Sequence, residues 1–160
     1  MTTNMWGNDE VRPVSLELFD ERLQRYRLVQ PRQERTLAQS LERYGQVSPV
    51  VVCMQEQSLV MVDGFKRLRA ARKLKGMERL DARCIEVDEQ GAKAAVYNLN
   101  RAGQRPVEVE ESWIVHALVR EDGLSQASIR RTPIYLTCYQ NVDGCLGRLV
   151  EIGNIATSTG

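Results

Sequence analysis

From Ser15 onward the apolar positions fall into spaced sets and short continuous runs, and the two kinds alternate. Leu16, Phe19 and Leu23 recur at helical spacing and predict a helix over Ser15–Arg27, ahead of which residues 1–14 lack periodicity and read as a loose tail. Gln30-Pro31-Arg32 reads as extended, because proline disfavours helix at the residue before it. Leu37, Leu41 and Tyr44 then recur at i, i+4 and i+7 with Gly45 behind them, which predicts a helix with a glycine stop. Val50-Val51-Val52-Cys53 and Leu59-Val60-Met61-Val62 are strand-like runs separated by Gln55-Glu56-Gln57-Ser58, a hairpin pattern. A cationic helix follows up to Gly76, then a third strand from Ala82 to Val87 and an Ala-rich helix from Glu89 to Asn98. Strands alternating with helices give an α/β (α+β) class, a small mixed sheet packed by helices, over residues 15–105.

After Pro106 the pattern changes. Pro106 suits a first helical turn, and Glu108, Glu110 and Glu111 complement its dipole. Val109, Trp113 and Ala117 make an apolar stripe, with His116 on the Trp113 side and expected to be packed. Gly123-Leu124-Ser125-Gln126 reads as a turn and N-cap leading to a helix through Arg131, which Pro133 cuts short. Residues 106–131 are thus a short helical segment, and residues 132–160, without sustained periodicity, a divergent tail.

Charge picks out one element. Gly64 to Gly76 holds Lys66, Arg67, Arg69, Arg72, Lys73 and Lys75 and no acidic residue. Cations in a helix's first turn oppose its dipole, an arrangement accepted most easily when an anion sits on the free N–H groups. Arg67 falls at about 200° on the helical wheel, amid the apolar arc, where a guanidinium needs a designated partner. Two readings stand: an anion or nucleotide-phosphate site, or a solvated basic helix with Arg67 paired to a local carboxylate such as Asp63.

Composition narrows this further. Basic and acidic residues nearly cancel, 22 against 21, so no global field points to nucleic acid, although residues 1–105 carry 18 against 14 and residues 106–160 carry 4 against 7. Four cysteines without a C-x-x-C pair and a single histidine lack the ligand spacing of a zinc site. Cys53 and Cys84, inside apolar runs, read as buried thiols. No apolar stretch suits a signal peptide or a membrane span, so the expectation is a cytoplasmic protein, with no membrane partner.

Three motifs in order then resemble one family. Gln30-Pro31-Arg32 ahead of Tyr44-Gly45 and Pro49-Val50-Val51-Val52 resembles the Q-P-R segment of the ParB partition protein N-terminal domain, in the ParB/sulfiredoxin superfamily. Gly64-Phe65-Lys66-Arg67-Leu68-Arg69-Ala70 is similar to its G-E-R-R-x-R-A phosphate motif, and Asn98-Leu99-Asn100-Arg101 to E-N-L-x-R without the first residue. The Glu110-Glu111 helix followed by Gly123-Leu124-Ser125-Gln126 resembles the lead-in to a helix-turn-helix. The resemblance implies CTP binding with magnesium and a clamp that closes on DNA. By position, Gly64, Lys66, Arg67 and Arg69 would hold phosphates, Asn98 would ligate magnesium, Arg101 would help neutralise the nucleotide, and Arg32 would line the pocket.

The departures limit what carries over. Phe65 and Tyr97 stand where the family has glutamates, which implies weak or absent nucleotide hydrolysis. The sulfiredoxin cysteine is missing from the glycine motif. After Arg131 only Arg148 is basic, and no recognition helix can be read, so the DNA-binding residues stay unassigned. The reading is a ParB-like module in partition-like or mobile-element-linked DNA transactions, nucleoid-associated when bound, with DNA or a DNA-bound protein as partner and a second copy of the chain as a further candidate. The alternative is a small-molecule phosphoryl-transfer enzyme of the same superfamily, with Asp63 or Glu34 as base. On either reading, duplex binding by the chain alone is expected to be weak, unselective and driven by the Lys66–Arg79 cations.

Overall fold

The computed structural model describes Trp6, residues 10–101 and residues 108–125. The chain divides into two compact units, residues 1–96 and 97–160. The first is built on a five-stranded mixed sheet. Its strands are β1 (Val11–Ser15), β2 (Phe19–Asp20), β3 (Val50–Gln55), β4 (Ser58–Asp63) and β5 (Arg79–Ile85), in the order β1-β5-β3-β4-β2. Helices α1 (Pro31–Tyr44) and α2 (Phe65–Lys73) belong to this unit, and α3 (Glu89–Arg101) crosses the division between the units.

The strongest strand signals in the sequence lie at the centre. Val50, Val51, Val52 and Cys53 are all buried; successive side chains point to opposite faces, so β3 is covered on both. β3 pairs antiparallel with β4 through the expected tight hairpin and parallel with β5. On β5 only Leu80, Ala82 and Cys84 are buried, an alternation that leaves Arg79 and Asp81 in water. Cys53 and Cys84 are the buried free thiols expected, and burial pushes the Cys53 thiol up to about 11.

The N-terminal third departs from its sequence reading. Val11–Val14, expected in the loose tail, form with Ser15 the edge strand β1, antiparallel to β5. Only Val14 of it is buried, so the strand has no apolar period to announce it; ladder pairing supplied by β5 makes it. The helix expected over Ser15–Arg27 is instead a 3₁₀ turn (Leu16–Leu18), the two residues of β2, and a second 3₁₀ turn (Arg22–Tyr26). Leu16, Phe19 and Leu23 do enter the core, together with Tyr26. Their spacing reflects a shared destination, not a helix.

α1 begins two residues earlier than the extended reading of Gln30-Pro31-Arg32 allowed. Gln30 is non-helical, but Pro31 opens the helix, where its missing N–H costs nothing. Gly45, at φ 71°, stops it as expected. The buried residues of α1 are Leu41 and, less expectedly, Glu34, while Tyr44 is 67% exposed. α2 ends at Lys73, a turn short of Gly76.

In the second unit, α4 (Glu108–Arg120) reverses the expected face. Ile114, Val115, Ala117 and Leu118 are buried, and Val109, Trp113 and His116 are exposed. His116 does share a side with Trp113, but it is the solvent side. Among the described residues no helix is long and apolar enough to cross a membrane. The helix expected from Gln126 to Arg131 and the segment 132–160 lie outside the described residues.

Candidate functional site at the start of helix 2

The glycine motif sits where β4 hands over to α2. Gly64 is the residue before the helix, at φ 104° and ψ 16°, a left-handed conformation that side chains rarely adopt. A Cβ there would lie 2.5 Å from Val50 Cγ1, so the backbone runs directly against central strand β3. Glycine is required twice over, by conformation and by space. The first intrahelical bond runs from Leu68 N–H to Gly64 O at 2.9 Å. The N–H groups of Phe65, Lys66 and Arg67 thus precede the first intrahelical bond, and Gly64 as N-cap brings no side chain to them.

A second helix start comes beside the first. Lys66 Nζ donates to Gln30 Oε1 at 2.7 Å and to Gln33 Oε1, both at the opening of α1. Gln30 also carries no capping side-chain bond as N-cap of α1. The Gln30-Pro31-Arg32 segment and the glycine motif, 32 residues apart in sequence, thus adjoin, with Arg32 exposed between the two glutamines. Two helix N-termini, a lysine and an exposed arginine make a local positive field suited to an anion. Two clefts of this unit lie elsewhere, about 770 Å³ under the end of α2 and about 1210 Å³ beside β2.

The remaining cations of α2 are engaged within the chain, Arg67 and Arg69 half-buried and Arg72 and Lys73 exposed. Arg67 is the designated-partner case that the wheel demanded, but its partners are backbone: Nη1 donates to Ser48 O at 2.8 Å and to Pro49 O at 3.0 Å. Neither Asp63 nor an anion is needed to satisfy it. Gln46 pins the same loop from the other side, Nε2 donating to Ser48 O and Asp81 O while Oε1 accepts from Asp81 N–H at 2.7 Å. Arg69 reaches Glu34 through Nε and Nη2, each at 2.7 Å. Flipping the Gln24 amide lets its oxygen accept from Arg69 Nη1 at 3.0 Å. Lys73 adds a contact to Glu34 at 3.6 Å, and Arg72 pairs with Glu21 at 2.6 Å.

Glu34 is the hub of this network and is 4% exposed. Burial alone raises its carboxyl, but hydrogen bonds and charge from Arg69, with Lys73 behind, outweigh burial and hold it below the usual carboxylate range. An anion kept so firmly ionised and so fully bonded is a poor general base, which removes one of the two bases open to a phosphoryl-transfer enzyme. Sequence reasoning missed Glu21, Gln24, Gln33 and Gln46; polar residues serving a neighbour 33 or more positions away leave no local signal.

Asn98 and Arg101 lie in the C-terminal part of α3, which belongs to the second unit, with Asn98 half-buried. Phe65 and Tyr97, at the positions of the family glutamates, are both buried, each 3% exposed. Among the described residues no three of His, Cys, Asp and Glu gather as a metal-holding group.

The family model of the ParB N-terminal domain matches residues 2–100, the whole sheet with both helix starts. The chain belongs to the ParB N-terminal domain family. A probable chromosome-partitioning protein ParB of Campylobacter jejuni is 27% identical over 127 residues, covering 75% of this chain and 45% of that protein. The chain therefore spans less than half the length of that relative. The pNOB8-like ParB N-domain superposes with a TM-score of 0.57 at 18% identity, over 71% of this chain and 47% of that one. The C-terminally truncated ParB of Caulobacter crescentus, solved with CTP-γ-S, superposes with a TM-score of 0.50 at 18% identity, over 76% of this chain and 69% of that one. At such identities the structures speak for the shared α+β fold, and the ParB sheet with its flanking helices is the one described above.

Proposed function

We propose that this chain is a ParB-type partition module that binds a nucleoside triphosphate of the CTP kind at the start of α2 and takes part in transactions on DNA. The observation that carries the nucleotide reading is the N-terminus of α2, with Gly64 pressed on Val50 and Lys66 drawn to the first turn of α1. The ParB of Caulobacter crescentus solved with CTP-γ-S, a relative in fold, supports the choice of nucleotide. Gly64, the backbone of the first turn of α2, Lys66 and Arg32 would meet phosphates directly. Arg67 and Arg69 would act from behind, one holding the Ser48–Pro49 loop and the other tying α2 to α1 through Glu34. The family resemblance would also assign Asn98 and Arg101 of α3 to the nucleotide.

Magnesium would supply charge neutralisation between phosphates. With no acidic cluster among the described residues, it would rest on the phosphates and water, with Asn98 as protein ligand. Hydrolysis would be weak, since Phe65 and Tyr97 offer core-packed rings in place of carboxylates. A cytoplasmic setting, nucleoid-associated on DNA, and pairing with a second copy complete the reading. The phosphoryl-transfer alternative is left with Asp63 as sole base and is not retained.

Calorimetry with a panel of nucleoside triphosphates, with and without magnesium, tests the proposal. Binding of at least one triphosphate is expected, weakened about tenfold by Lys66→Ala, which removes one charge-assisted contact. No heat with any nucleotide under either condition would refute it.

A further inference from the structure

Beyond Lys66, which the proposed nucleotide site uses, the cations of α2 are engaged within the chain, whereas α1 carries arginines on its outer face. On α2, Lys66, Arg67, Arg69, Arg72 and Lys73 hold Gln30 and Gln33, the Ser48 and Pro49 carbonyls, Glu34, Glu21, and Glu34 again. The expectation that a Lys66–Arg79 cluster attracts DNA therefore loses most of its charges. On α1 the geometry is the reverse. Leu41 and Glu34 mark the inward side. At about 100° per residue, Arg32, Arg35, Thr36, Gln39 and Arg43 fall within about 60° of one line on the opposite side. Arg32, Arg35, Thr36, Gln39 and Arg43 are all exposed.

This crest has three features of a phosphate track. Among the described residues none of its three arginines is paired with a carboxylate; Arg43 lies over the ring of Tyr44, its carbon 5.2 Å from the centroid. The only exposed carboxylate on the helix, Glu42, lies at the flank, about 80° from the Arg32 line. The crest carries no apolar residue, and a surface that docks a folded protein needs an apolar or aromatic centre. Arginine forks with threonine and glutamine between them are the side chains that bond phosphate oxygens. From Arg32 to Arg43 the crest extends about 16 Å, enough to follow several phosphates of a duplex.

We infer that the outer face of α1 contacts the sugar-phosphate backbone of duplex DNA, independently of base sequence. The inference rests on the DNA-associated reading above and names the surface that serves it.

The test is fluorescence anisotropy of a labelled duplex with the full chain across a salt series, with nucleotide omitted. Arg35→Ala/Arg43→Ala is compared with Lys75→Ala/Arg79→Ala, an equal loss of charge away from α1. All four residues are exposed, and thermal melts of each variant confirm folding. The α1 pair is expected to weaken binding about tenfold and to reduce the slope of log affinity against log salt by roughly 1.8, two phosphates' worth, with the control pair within about twofold of the parent. Equal losses from both pairs, or none from the α1 pair, would overturn the inference while leaving DNA association standing. Failure of the parent chain to bind duplex would overturn both. Tighter binding of a labelled oligoglutamate than of duplex would mark the crest as a surface for an acidic polypeptide and overturn it as well. Nucleotide calorimetry is indifferent to all four results.

Discussion

Single side chains decide what the α2 motif can do. Glu34 is buried and ionised among Arg69 and Lys73, so Glu34→Gln leaves two cations short of their counter-charge. Breaking a buried pair of this kind costs about 3–5 kcal/mol. The sign of its pH dependence follows from the depressed folded-state carboxyl. The stabilisation is fully present above the unfolded value of 4.5 and is lost as pH falls through the lower folded value. Urea melts from neutral to acid pH are expected to show this loss in the parent and a flatter profile in Glu34→Gln; parallel profiles would mean that other carboxylates carry the acid sensitivity. Arg67 carries a different expectation. Because it holds two carbonyls of the loop before β3, Arg67→Ala should lower stability by about 1–3 kcal/mol, through the loss of both bonds; Ser48 O keeps its bond from Gln46 and Pro49 O loses its donor. Arg72→Ala, which loses a pair with Glu21 nearer the surface and a long bond to Leu16 O, should cost less. Equal costs in the same denaturation assay would show that the Ser48–Pro49 loop does not depend on Arg67.

Whole elements show where local chemistry and the fold disagree. The β3–β4 hairpin turns on Glu56 and Gln57, at φ 46° and 70°, both left-handed. A two-residue turn of that hand matches the sheet's twist but asks for Asn-Gly or Asp-Gly. Replacing Glu56-Gln57 by Asn-Gly is expected to raise stability by about 1 kcal/mol, read as a higher denaturation midpoint at unchanged slope. A lower midpoint would show that the two long side chains contribute more than their backbone costs. The same element was nonetheless legible as a hairpin, because two β-branched runs at such close spacing have few other solutions. Segment 15–27 was not, since Leu16, Phe19 and Leu23 satisfy a helical period while burying from two 3₁₀ turns and a two-residue strand. Period alone cannot separate these geometries when the segment is short.

At the scale of the molecule, the sheet order puts β3 in the middle, with β5 and β4 on either side and β1 and β2 at the edges. Hydrogen exchange should follow that order. Amides of Val51 and Val52 are expected among the slowest, at the free energy of global unfolding, while those of β1 and β2 exchange through smaller openings. β1 amides protected as well as those of β3 would mean that the edge opens only with the whole sheet. The family match over residues 2–100 spans this sheet from edge to edge, which is why β1 belongs to the domain despite its unremarkable sequence.

The amino-acid sequence by itself determined the central strands, the hairpin, α1 with its glycine stop and the position of the phosphate-type motif. Each rests on contacts within a dozen residues or on composition that only a buried strand tolerates. Tertiary structure alone decided the partners. Glu34 finds Arg69, Gln30 and Gln33 find Lys66, Arg67 finds the Ser48–Pro49 carbonyls, and β1 finds β5 across separations that carry no periodic signal. The direction of each helical face was decided the same way, because a wheel ranks positions around an axis while only packing chooses which side is buried. Val109 and Trp113 met solvent for that reason, and the outward arginines of α1 became distinguishable from the engaged ones of α2.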